Sequence, residues 1–415
     1  MSISPFEREI MTASRALQLR LIWGLSLASV VIYINLYMVQ GMLPLIATRF
    51  SVSPAHATLL LSVTSFSMAF ALLCYATLSD KLGRRKPLLW SLALLVVADI
   101  MLIWVQDFSA LVAVRLFQGV LLAAVPAIAM AYFKDLLDTS VLLKAGAIYI
   151  GANSLGGIAG RLIGGLMTKY LSWVEAMGLV SVLTLAGVVG VLLLLPRLDR
   201  VRIRRRQHKS GFGLADLKGF GLHLGDATLV KLYLLGALAF MVMVNQFSYI
   251  QLHLMQAPFH WGKFQVTLIF LCYLSGTYAS FRSAKWVTRL GRQPLFILSA
   301  VMMCVGSLVT LGDTSSAIVI GFLLSSFGFF TFHSVCNAWV AQRAQQHRAK
   351  ATALYLCSYY LGAALGGPFL LPFWQHWGWS GVVGGSLTLL SGVIFIVVML
   401  QRTHRPRTPL LDAAG

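Results

Sequence analysis

The sequence predicts an all-α membrane protein with twelve transmembrane helices arranged as two six-helix bundles. Three observations carry this. The 415 residues are 58% hydrophobic and only 11% charged, against about 25% charged in a soluble domain. Apolar runs close to the ~20-residue spanning length recur along the whole chain. A cation-dense stretch, ATLSDKLGRRKPLL (Ala76 to Leu89), returns 208 residues downstream as a blurred copy, AKWVTRLGRQPLF (Ala284 to Phe296), in which Gly291 answers Gly83. A water-soluble core of this length has no room for so much apolar surface, which excludes a large soluble α/β protein.

The elements follow in order. Glu7, Arg8, Glu9, Arg15 and Arg20 make a polar lead-in rather than a cleavable signal peptide, so the first span is retained. Spans are read at 21–46, 57–79, 87–106, 109–133, 143–168 and 173–196, then at 229–253, 264–286, 294–312, 315–341, 350–373 and 377–400. All must be helices, because open strands leave backbone polar groups unsatisfied in lipid. Ser53-Pro54 marks a helix start, a Ser N-cap before Pro at the first helical position. Gly367-Pro368 predicts a bend in the eleventh span. Residues 1–196 form the first bundle and 229–415 the second. The linker 197–228 opens with a basic run, RLDRVRIRRRQHK. It reads as cytoplasmic, with a surface helix and with its polybasic part against anionic lipid headgroups.

The formal charge of +20 has the same explanation. Lys81 to Lys86, Lys134, Lys144, the linker, Arg282 to Arg292 and Arg343 to Lys350 fall in one set of loops, whereas the opposite set holds little beyond Arg49, Lys169 and Lys263. This is positive-inside sorting in a bacterial inner membrane, with both termini cytoplasmic. It leaves no reason to expect nucleic acid, since no aromatic-interleaved basic patch accompanies the loop charge. Cys74, Cys272, Cys304, Cys336 and Cys357 all lie within apolar runs and form no CxxC, so they read as small buried hydrophobes rather than metal ligands or disulfides. A phosphate loop, a metal cluster and a nucleophile elbow are all missing, so the chain reads as no enzyme, with no cofactor and no ATP-driven step.

The basic turn carries a family resemblance. Ala76-Thr77-Leu78-Ser79-Asp80-Lys81-Leu82-Gly83-Arg84-Arg85 resembles the Gly-x-Leu-Ala-Asp-Arg-x-Gly-Arg-Arg/Lys signature of the major facilitator superfamily, with Ala76 for the first Gly and Lys81 for an Arg. The second copy keeps Arg289, Gly291 and Arg292 but has Thr288 in place of the acid. Arg115, Gln118 and Gly119 in the fourth span resemble the family's Arg-x-x-Gln-Gly motif. In the fifth span, Gly156, Gly160, Gly164 and Gly165 resemble the antiporter motif, with Arg161 where that motif has Pro. The resemblance implies the major facilitator fold, two bundles related by a pseudo-two-fold axis. It also implies a monomer that carries a small-molecule substrate coupled to protons. Asp80, Gly83, Arg84, Arg85 and Asp135 would form a gating latch. Asp80 would meet Arg84 and the cytoplasmic end of the eleventh span, and Arg84 would meet Asp135 or Asp138. The plainer reading is a topology anchor.

Ionisable groups inside a membrane are expensive and count as functional hypotheses. Asp99, Arg115 and Arg161 lie in three consecutive spans, and the 1.5 Å rise per residue puts all three roughly 12 Å from the outer surface. They read as a proton or anion station. The alternative is a static Asp99–Arg pair, and a third span commonly lies on the outside of this fold. By resemblance, the substrate cavity is lined by Tyr33, Asn35, Tyr37, Gln118, Asn245, Gln246, Tyr249, His333, Asn337 and Tyr359. For any one of these an interhelical hydrogen bond is the plainer role. Glycines four apart at 156, 160 and 164, and at 362 and 366, imply close helix contact at the seam where the halves rock. The expectation is a proton-coupled exporter of amphipathic organic compounds or drugs. The alternative is an organic-anion or metabolite importer or uniporter.

Overall fold

The computed structural model describes residues 5–137, 139–196 and 214–403. Among these there is no strand. Among the described residues nine helices are long and apolar enough to cross a membrane: Arg15–Gly41, Pro54–Leu82, Arg85–Trp104, Phe108–Leu136, Trp173–Leu194, Ala227–Leu254, Arg292–Val309, Ser315–Arg343 and Arg348–Leu400. The last is two spans, divided where Gly378 takes φ 57° and ψ −138°. The more polar helices Thr139–Tyr170 and Tyr273–Leu290, the latter entered through a 3-10 stretch at Gln265–Cys272, supply the fifth and eighth spans. The all-α architecture expected from hydropathy is therefore the one observed, in twelve spanning segments.

Local chemistry sets the ends. Ser53 Oγ accepts from His56 N at 3.1 Å with Pro54 in the first turn. Asp107 caps Ala110 N at 2.8 Å, Thr314 caps Ala317 N at 3.2 Å, and Ser172 and Glu175 form a capping box. One expectation is corrected. The first span stops at Gly41 rather than 46, and a separate short helix, Leu43–Phe50, follows it and ends on Ser51 at φ 53°. The eleventh span keeps helical dihedrals through Pro368 and Pro372, and the turn to the twelfth span falls at Gly378, where glycine adopts positive φ without a Cβ clash.

The repeat seen in the basic turn extends through the fold. Gly83 (φ 80°) and Gly291 (φ 81°) make the same turn. Trp173 Nε1 donates to Leu102 O at 2.9 Å, and Trp379 Nε1 donates to Thr310 O at 3.0 Å. The glycine ladders repeat too. A Cβ on Gly160 would stand 2.7 Å from Ile34 O, and one on Gly366 would stand 2.7 Å from Met241 O. These ladders thus join the fifth span to the first and the eleventh to the seventh, inside each half. They do not lie on the half-to-half seam, which corrects the expectation. Only their neighbours Gly165, against Thr267, and Gly367, against Ser62, touch the opposite half.

The seam is closed at the end away from the basic loops. Besides those two glycine contacts, Gln40 Nε2 donates to Ser248 Oγ at 2.7 Å and to Val244 O at 3.1 Å. Residues 241–250 of the seventh span are buried on every face. At the basic end Asp80 pairs with Arg84, and its side chain is 60% exposed. The expected docking of Asp80 on the eleventh span is not made. That end of the eleventh span is covered instead by the linker helix Leu214–Leu224, whose Phe220 ring lies 5.3 Å from Lys350 Nζ and whose His223 reaches His347 O at 3.3 Å. The basic run 197–213 and Asp138 lie outside the described residues.

Because main chain blocks a side chain at Gly160, Gly160→Val should cost about 3 kcal/mol, the upper end of overpacking. Gly151→Val on the same helix, where a Cβ meets nothing within 4 Å, should cost little. Thermal unfolding of the two purified variants compares them directly.

Candidate functional site

Three groups of sequence-selected residues separate in space. The first is the turn latch. Arg85 opens the third span, and Gly83 supplies the turn before it. Arg84 pairs with Asp80 one turn earlier, with Asp135 at 3.0 Å and with Ser79 Oγ at 2.7 Å. These contacts tie the second, third and fourth spans together at the basic end. The corresponding contact of the second half is Arg292 to Gln342 Oε1, 2.6 Å, so the repeat keeps the geometry but loses the acid.

The second group is a polar network within the first half. Arg115 is fully buried. Its Nε donates to Thr64 Oγ1 at 3.0 Å, and its terminal nitrogens donate to Asn35 O at 3.1 Å, Leu36 O at 3.2 Å and Gln118 Oε1 at 2.9 Å. Gln118 Nε2 in turn donates to Asp99 Oδ1 at 2.6 Å. Asp99 and Arg115 therefore communicate through Gln118 rather than as a direct ion pair. Asn35 Nδ2 reaches Thr184 Oγ1 at 2.9 Å, which brings in the sixth span. Asp99 is fully buried on the inward face of its span, and its Oδ2 has no donor at bonding distance. A cavity of about 10 Å³ borders Arg115, close to the room one water needs.

The third group lies on the seam. Arg161, 2% exposed, donates to Gly157 O and to Gln40 Oε1, both at 2.8 Å. Its guanidinium carbon stands 3.8 Å from the Tyr37 ring centre, 4.8 Å from Phe270 and 4.7 Å from Tyr273. Among the described residues no carboxylate pairs with it. Tyr37 belongs to the first half, while Phe270 and Tyr273 belong to the second.

From this arginine a closed belt of rings can be traced. Tyr37 stacks on Tyr33 at 6.0 Å, and the Tyr33 hydroxyl lies 3.1 Å from that of Tyr360. Tyr360 meets Tyr359 at 5.3 Å, and Tyr359 meets Phe329 at 6.4 Å. Phe329 meets Phe330 at 5.2 Å, and Phe330 returns to Tyr273 at 5.6 Å. The belt draws on the first, fifth, eighth, tenth and eleventh spans. His333 borders it, 4.7 Å from the Tyr359 ring, with Nδ1 2.9 Å from the Tyr355 hydroxyl.

The sequence-selected cavity residues thus divide. Tyr33, Tyr37, Tyr359 and His333 gather at the seam. Asn35 and Gln118 belong to the network of the first half. Asn245 bonds Met241 O and Ala363 O, Gln246 bonds Ser307 Oγ, and Tyr249 bonds Gly367 O, so these three hold helices of the second half together. Asn337 Oδ1 is buried without a partner. Sequence reasoning missed Phe270, Tyr273, Phe329 and Phe330. The i, i+3 spacing of Phe270 and Tyr273, in a span more polar than its neighbours, was the available signal.

The Major Facilitator Superfamily model matches residues 25–272 and 232–414. The inner membrane transport protein YnfM of Escherichia coli is 33% identical over 387 residues, covering 93% of this chain and 91% of that one. YybF of Bacillus subtilis, an uncharacterized MFS-type transporter, is 32% identical over 369 residues, covering 89% and 90%. Among solved structures, the human organic anion transporter MFSD10 superposes with a TM-score of 0.69 at 19% identity, covering 92% of this chain and 99% of that one.

Four charge-assisted bonds on Arg115 predict that Arg115→Met destabilises the protein by at least about 2 kcal/mol, the scale of one or two such bonds. Arg115→Lys, with one ammonium in place of the fork, should recover only part. Denaturation midpoints of the two variants read this out.

Proposed function

The chain belongs to the Major Facilitator Superfamily of membrane transporters, and from that premise we propose that it exports small amphipathic organic compounds across the bacterial inner membrane by proton-coupled alternating access. The supporting observation is Asp99, a fully buried carboxyl held on Oδ1 by Gln118 and faced by the Thr184 hydroxyl, with no tight donor on Oδ2. Such a group can take up a proton without first breaking its existing bond. Gln118 links it to Arg115, and Arg115 holds the first span by two main-chain carbonyls. A change of charge at Asp99 is therefore felt by a helix that lines the seam. Each proton moved inward draws on about 2.3 kcal/mol per 100 mV of membrane potential, besides the pH gradient.

The two halves rock about the aromatic belt in this reading. Gln40, Gly165 and Gly367 close the outer face, and the basic loops mark the cytoplasmic face. The Arg84 contacts with Asp80 and Asp135 act as the inner latch, with Asp80 docking on the other half only when that face closes. The ring-rich seam suits compounds that combine an apolar face with a polar group.

In proteoliposomes, flux driven by an imposed pH gradient should disappear in Asp99→Asn, while substrate exchange without a gradient persists. Unchanged gradient-driven flux in that variant would remove Asp99 from the mechanism.

A further inference from the structure

Arg161 presents a problem that the fold does not solve by itself. A guanidinium buried at mid-membrane normally pairs with a carboxylate or reaches water. This one has two neutral acceptors, Gly157 O and Gln40 Oε1, and three aromatic rings. Rings offset part of the desolvation of a cation but do not neutralise it. Arg115, the other buried arginine among the described residues, sits wholly inside the first half and is linked to Asp99. The net positive charge therefore sits at the seam, where the two halves part.

The rings sort by half. Tyr37 and its near-parallel neighbour Tyr33, at an interplanar angle of 11°, move with Arg161. Phe270 and Tyr273 belong to the other half and move away from it when the seam opens. Tyr273 also carries a buried hydroxyl with no hydrogen-bond partner. In the closed seam these two rings cover the face of the guanidinium. Opening uncovers a fork of N–H donors beside two stacked phenol rings, with an idle hydroxyl on the facing wall.

We propose that the cargo is a planar aromatic monoanion, whose carboxylate pairs with Arg161 and whose ring lies on the Tyr33 and Tyr37 faces. The planar fork of arginine suits a carboxylate in two parallel bonds. When Phe270 and Tyr273 withdraw, a flat ring can take their place and restore the aromatic cover of the guanidinium and the stacking on the phenol rings. The cargo supplies the missing negative charge, so the loaded seam is close to neutral and can pass through the membrane interior. The proposal rests on the transporter reading above and names the substrate class of its seam.

The test uses the purified full-length protein and three probes of one shape: benzoate, benzamide and benzylamine. Thermal unfolding should be shifted upward by benzoate, much less by neutral benzamide and not by cationic benzylamine. In Arg161→Gln the benzoate concentration needed for half the shift should rise at least about tenfold, with Arg161→Lys in between. The proposal is overturned if benzoate gives no shift, if either other probe matches it, or if Arg161→Gln binds benzoate like the unmodified protein. Should Arg161→Gln fail to fold, the ranking of the three probes on the unmodified protein decides. The binding series is independent of coupling. Benzoate selectivity without gradient-driven flux would overturn proton coupling alone, and gradient-driven flux of other solutes without benzoate selectivity would overturn this proposal alone.

Discussion

The structure depends on how two buried arginines are satisfied where no water is available. In hydrocarbon every polar group must find its partner within the protein. Arg115 does so through Thr64, Gln118 and two main-chain carbonyls of the first span, so its partners fix how the first, second and fourth spans pack. Arg161 reaches the same span at Gln40, about one turn further along, and faces the other half. One helix thus accepts bonds from both arginines, one turned into its own bundle and the other toward the partner bundle. That arrangement gives the first span a stake in both the network around Asp99 and the closure of the seam.

The duplication supplies the frame, and the charged side chains depart from it. Both halves use the same left-handed glycine in the basic turn, the same tryptophan-to-carbonyl bond and the same glycine ladder. These devices are neutral and depend on shape. The charged devices are not duplicated. The turn arginine of the second half meets Gln342 where that of the first meets Asp135, Thr288 stands in place of Asp80, and among the described residues no buried arginine in the second half answers Arg115 or Arg161. Among the described residues the buried charges lie in the first half, and the second contributes aromatic walls and amide bonds.

Much of this is legible in the sequence, for identifiable reasons. Spans follow from hydropathy because lipid forces it. The turn at Gly83 follows because its residues repeat at Gly291. Asp99, Arg115 and Arg161 stand out because charge is rare in apolar runs. Three things are not legible. The side of a helix that a glycine ladder faces depends on tertiary packing, so the 156/160/164 series reads as a half-to-half contact when it lies inside one half. Hydropathy runs on past Gly41, so the separate short helix Leu43–Phe50 reads as the end of the first span. The rings Phe270, Tyr273, Phe329 and Phe330 stay hidden because aromatic residues in a membrane span look alike whether they face lipid or a seam.

The central claim is that the seam closes at one end while it opens at the other. Spin labels in a cysteine-free background measure both ends in one preparation: Lys169 and Lys263 at the end away from the basic loops, Leu82 and Leu290 at the basic end. Lowering the pH or adding benzoate should redistribute the distance populations in opposite directions, the Lys169–Lys263 pair lengthening as the basic pair shortens. Distances that stay fixed at both ends, or that change together in the same direction, would contradict alternating access about this belt.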